Sequence, residues 1–203
     1  MLRLDHLAVA CTALADGVAA VEDALGVRLA PGGEHPAFGT HNRLLSLGPA
    51  EYLEVIAVNP AAAVPGRPRW FDLDRFAGAP RLANWVAACD DVAAALAVSP
   101  DGTGVPMELA RGDFRWTMAV PDDGRLPFDG VFPALIRWHG AAHPAPRLPD
   151  HGLRLTALHL THPQADALRA SLGRLIADPR LTIGAGAPGL SASFSTPAGV
   201  RHL

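Results

Sequence analysis

The chain has 203 residues, a formal net charge of −3 and a pI near 6.3, with 49% hydrophobic and 18% charged residues. That composition belongs to a globular chain rather than a disordered one, and an acidic balance without a basic cluster excludes nucleic acid as a partner. All basic residues are Arg and none is Lys, which together with abundant Ala, Gly and Pro fits a GC-rich bacterial genome.

In chain order, Leu4 to Ala10 reads as a strand and Ala13 to Leu25 as a helix stopped by Gly26. A Gly/Pro-rich turn is expected from Pro31 to Gly39, and Arg43 to Leu47 with Tyr52 to Val58 reads as a β-hairpin across Gly48-Pro49-Ala50. Asn59 to Pro68 is a connector, and Trp70 to Phe76 reads as a short helix. A second unit follows from Arg81 to about Gly140. It has a strand, a helix at Asp91 to Val98, and strands near Met107 to Leu109, Arg115 to Val120 and Ala134 to Trp138. After a Pro-rich joint at His143 to Pro149, a third unit runs from residue 151 to residue 203, with strands at Leu181 to Gly184 and Leu190 to Ser195.

These units repeat one text. HLAVACTALADGVAAVEDALG (His6 to Gly26) and NWVAACDDVAAALAV (Asn84 to Val98) each run from an apolar strand through Ala-Cys into an Ala-rich helix, with Thr12 and Asp90 as capping residues. LRLTALHLTHPQADALRASLG (Leu153 to Gly173) is a looser copy, with Pro163 at the first helical position. No apolar window reaches the roughly 18 residues of a membrane helix. Asp5 and His6 interrupt the run that a signal peptide would need before Cys11, so a cytoplasmic location is expected, with Cys11 and Cys89 as reduced core thiols.

Asp5-His6-Leu7, Gly39-Thr40-His41-Asn42 and Tyr52-Leu53-Glu54-Val55-Ile56 resemble the vicinal oxygen chelate superfamily, and within it the glyoxalase-like branch. The resemblance implies an α+β fold in which paired βαβββ modules (2–58 and 81–140, within 1–150) form an open, cup-shaped mixed sheet. A third partial βαββ unit, 151–203, would pack on the same domain and sheets. It also implies a divalent metal held by the first and last strands of each module, and a small-molecule ligand. Closure of the cup within one chain and closure in a homodimer are both compatible with the sequence.

Strand alternation independently places Leu7 and Val9 on the helix side and His6 on the other face, where it meets Tyr52, Glu54 and Ile56. His6 and Glu54 are therefore the metal candidates, for Zn, Fe, Mn or Ni, with Glu54 also the catalytic candidate. The alternative is a hydrogen-bonded pair in a metal-free pocket. Aligning Leu7 with Trp85 puts Asn84 at the position of His6, and Ile136 or Arg137 near the position where a second carboxylate is expected. Alignment with the third unit puts Ala157 at the position of His6. His41, Asn42, Trp116, Arg137 and Trp138 are the expected substrate-binding wall. Two functions stand side by side: a lyase, isomerase or dioxygenase acting on vicinal oxygens through a degenerate metal site, or a metal-free protein that binds or sequesters a small ligand, as bleomycin-resistance members of the superfamily do.

Overall fold

The computed structural model describes residues 1–203. The first module consists of β1 (Arg3–Ala10), α1 (Leu14–Leu25), β2 (Ala30–His35), β3 (Thr40–Ser46) and β4 (Tyr52–Val58). The second consists of β5 (Arg81–Ala88), α2 (Val92–Leu96), β6 (Val105–Arg111), β7 (Phe114–Val120) and β8 (Ala134–Trp138). All eight strands join one mixed sheet in the order β2-β3-β4-β1-β5-β8-β7-β6.

The sequence repeat is a structural repeat about the antiparallel β1–β5 seam, where Leu7 faces Trp85. In the first module β1 runs parallel to β4 with Ala8 beside Glu54, and in the second β5 runs parallel to β8 with Val86 beside Ala134. The two cysteines mark equivalent points. Cys11 donates its backbone N–H to Ile56 O at 3.2 Å, and Cys89 donates its own to Ile136 O at 2.8 Å. Both thiols are free and buried. The equivalent of Glu54 is therefore Ala134, two or three residues before the Ile136 or Arg137 expected from the sequence.

Several local expectations shift. The helix starts lie later than the text suggests: α1 is preceded by Ala13 with no side-chain cap, while Asp91 rather than Asp90 caps α2 by accepting from Ala94 N at 3.0 Å. The Pro31 to Gly39 turn contributes a strand, β2, because Gly32 lets its backbone approach Asn42 more closely than any side chain would permit; a Cβ there would lie 2.2 Å from Asn42 Oδ1. Of the helix expected at Trp70 to Phe76, only a single 3-10 turn forms at Trp70–Asp72, interrupted by Phe71 at φ 58.

The third unit is β9 (Arg154–Thr161), α3 (Ala165–Leu172), β10 (Leu181–Gly184), β11 (Gly189–Thr196) and β12 (Gly199–His202), the last strand being absent from the sequence reading. It forms its own sheet, β10-β9-β11-β12, instead of extending the large one. The edge strands of the large sheet, β2 and β6, curl toward each other and are bridged by side chains. The second sheet packs face-on against the convex back of the first. Leu158, Leu160, Leu168 and Phe194 thus share one buried core with Leu7, Leu53, Trp85 and Leu135. A separate apolar cluster of Phe38, Ile56, Trp70, Phe71, Val86, Trp116, Met118, Ala134 and Ile136 fills the concave side.

Candidate functional site

The cup closes within one chain. Arg111, the last residue of β6, donates Nη1 to His35 Nε2 at 2.8 Å and to Asn42 Oδ1 at 3.4 Å, bridging the two edges of the sheet. His35 is held neutral to serve as acceptor: burial, then the Arg111 charge, lower its pKa to about 3. Its Nδ1 pairs with Thr40 Oγ1 at 3.1 Å.

Against this bridge lies a chain of buried polar groups. His6 and Glu54, at 4% and 5% exposure, face each other with Nε2 and Oε2 3.8 Å apart. Asn42 donates Nδ2 to Glu54 Oε1, while its own Oδ1 accepts from Gly33 N at 2.7 Å, which fixes the amide orientation. His6 stacks on Tyr52 with ring centroids 4.3 Å apart and pairs through Nδ1 with Asp5 Oδ1 at 2.6 Å. Trp138 Nε1 donates to the other Asp5 oxygen at 2.9 Å, and His143 Nε2 lies 3.2 Å from it.

Burial opposes ionisation of Asp5, but the hydrogen bonds and charges of His143 and His6 outweigh it and lower its pKa to about 2. Simple alternation would turn Asp5 toward the Leu7 face. A register irregularity between Leu4 and His6 in the β1–β5 pairing breaks that alternation, so adjacent residues Asp5 and His6 enter one cluster.

Of the wall expected from sequence, Asn42, Trp116 and Trp138 line the same small cavity as His6, Tyr52 and Glu54. Arg137 and His41 do not. Arg137 alternates with Ile136 and Trp138 on β8, and is exposed on the opposite face. His41 alternates with Asn42 on β3, so it faces an outer groove alongside Leu14 and Val18 of α1. Burial lowers its pKa, and its Nε2 has no partner. Sequence reasoning missed Asp5, His35, Arg111 and His143 as contributors. Only Asp5 carried a local signal, its place beside His6 in the Asp5-His6-Leu7 motif.

The cavity measures about 30 Å³, room for one or two waters. Trp70 and Phe71 form part of its wall. Trp70 stacks on Phe38 at 3.9 Å, its Nε1 has no hydrogen-bond partner, and Phe71 and Asp72 both adopt left-handed backbone.

A divalent metal of the kind the resemblance implies would need donors from both modules. The first module offers His6 and Glu54; the equivalent positions hold Asn84, whose Nδ2 is spent on Gly130 O at 3.2 Å, and Ala134. No group of three or more His, Cys, Asp or Glu side chains is placed to share an ion, and the Arg111 cation lines the same cavity. These donors do not fit a catalytic metal, which usually takes three protein ligands.

Comparison with known proteins agrees with the architecture. The family model for the glyoxalase-like domain matches residues 4–176. No curated protein matches the chain. A hypothetical protein from Staphylococcus aureus superposes with a TM-score of 0.61 at 13% identity, over 93% of this chain and 88% of that one. A Streptomyces coelicolor methylmalonyl-CoA epimerase variant in complex with 2-nitronate-propionyl-CoA gives 0.43 at 20% identity, over 70% and 96%. Methylmalonyl-CoA epimerase from Mycobacterium tuberculosis gives 0.42 at 18%, over 68% and 88%. With its two cysteine-marked modules curled into one cup and the family match spanning both, the chain belongs to the glyoxalase-like domain family.

Proposed function

We propose that the cup is a metal-independent acid–base site of an isomerase or lyase that moves a proton next to a carbonyl group of a small molecule. The observation that carries this reading is the buried Asp5–His6–Glu54–Asn42 chain, of which His6, Glu54 and Asn42 line a small cavity inside the cup. Glu54, oriented by the Asn42 amide, takes the proton from the carbon. His6, with its ring fixed by Asp5 and Tyr52, exchanges that proton with Glu54 across the 3.8 Å gap and returns it to the substrate. Arg111 supplies a fixed positive charge for the oxygen on which negative charge develops. Trp70 and Phe71 line the same cavity, and the Trp70 Nε1–H is without a hydrogen-bond partner.

The aromatic wall of Trp70, Phe71, Trp116 and Trp138 supports the second reading, a metal-free binding protein for a small unsaturated ligand. The test is solvent-deuterium incorporation, followed by proton NMR, into a panel of small 2-oxo and 3-oxo acids with EDTA present. Wild type exchanges at least one of them, and Glu54→Gln lowers the rate about 100-fold or more at unchanged melting temperature. Binding without exchange throughout the panel favours the sequestering protein; exchange that survives Glu54→Gln overturns the assignment of the base.

A further inference from the structure

A larger cleft, about 320 Å³, lies between the cup and the second sheet, with Phe71 forming a wall common to both cavities. Its rim carries Arg75, Arg81 and Arg125, together with Asp72 and Asp129. The charges do not cancel locally. Asp72 is paired with Arg75 at 2.6 Å, Asp129 is in hydrogen-bond contact with His162 Nε2 at 3.1 Å, and the three arginines outnumber the two carboxylates. Arg81 has no carboxylate partner: its Nη1 bonds the Ala77 carbonyl at 2.8 Å while its guanidinium stacks on Phe76 at 4.2 Å. Arg125 reaches Asp72 only through Nε, at 3.7 Å. Stacking and the carbonyl bond orient the Arg81 fork before any ligand arrives, the arrangement that suits an oxyanion. Asn84, 3% exposed, lines the same cleft and uses its Nδ2 on Gly130 O, leaving its carbonyl oxygen to accept from a ligand hydroxyl or amine.

We infer that this cleft binds the phosphate group of a small phosphomonoester between Arg81 and Arg125. Three guanidiniums face two carboxylates along the cleft, an excess of positive charge; a phosphate group offers more acceptor oxygens to two guanidinium forks than a carboxylate does, and the volume falls in the range of small-molecule sites. The site stands independently of the chemistry assigned to the cup.

The probes are inorganic phosphate and acetate, titrated into the full chain at low ionic strength and pH 7.5, with the backbone amides of Ala83, Gly130 and Gly189 followed by NMR. Phosphate produces saturable shifts at these amides with a Kd of about 1 mM or tighter, and acetate binds at least about tenfold more weakly. Arg81→Gln and Arg125→Gln each weaken phosphate binding about tenfold, whereas Arg201→Gln, outside the cleft, leaves it unchanged. Arg125, exposed and in a single long contact, provides a variant that tests the site without risk to folding. Equal affinity for acetate, absence of saturable shifts at the cleft, or equal losses in Arg201→Gln would each overturn the assignment.

Discussion

Replacing Asp5 by Asn tests the electrostatic centre of the cup. The Asp5 carboxylate is 3% exposed and its pKa is lowered from 3.8 to about 2. A carboxylate with a depressed folded-state pKa contributes stability above its unfolded pKa and loses it as pH falls through the folded one. At 1.36 kcal/mol per unit, this shift corresponds to about 2 kcal/mol at neutral pH. Asparagine keeps the shape but has only one accepting oxygen for the three rings of His6, Trp138 and His143, and its NH2 group faces a donor. Urea denaturation of both proteins at pH 7 should show Asp5→Asn less stable by about 2–4 kcal/mol. The linkage supplies a sharper readout: the gap should narrow by about 1 kcal/mol between pH 5 and pH 3, as wild-type Asp5 loses part of its advantage. A gap below about 0.5 kcal/mol, or one that stays constant across that interval, would refute the placement of an ionised Asp5 at the hub of the network.

Two further outcomes follow from packing. Gly32→Ala would place a methyl 2.2 Å from Asn42 Oδ1 and 2.3 Å from its backbone oxygen, so β2 must shift away from β3. A loss of about 1–3 kcal/mol is expected in denaturation, along with reduced exchange activity, because the same Asn42 orients Glu54. Leu168→Ala removes a fully buried side chain of α3 from the core that both sheets share, and should cost about 2–5 kcal/mol. Calorimetry of that variant should retain a single transition; two resolved transitions would mean that residues 151–203 fold apart from the cup.

What the sequence determined by itself was whatever depends on period and repetition. The Ala-Cys text at Cys11 and Cys89 identified two equivalent strand–helix units, and period-two alternation was enough to bring His6, Tyr52 and Glu54 to one face. The same alternation overrules part of the wall expected from the motifs, since Trp138 and Arg137, or Asn42 and His41, are chain neighbours and cannot both face the cup in regular strands. The tertiary structure decided everything that depends on a broken period or on a long-range meeting. The irregularity after Leu4 brought Asp5 to its neighbour His6, and curling of the sheet carried Arg111 across to His35 and Asn42, 76 and 69 residues away in sequence. The third unit pairs its four strands among themselves and packs by its face, sharing one buried core with the large sheet. Local patterns specify which way a side chain points, whereas sheet curvature and register, summed over all eight strands, specify what it meets.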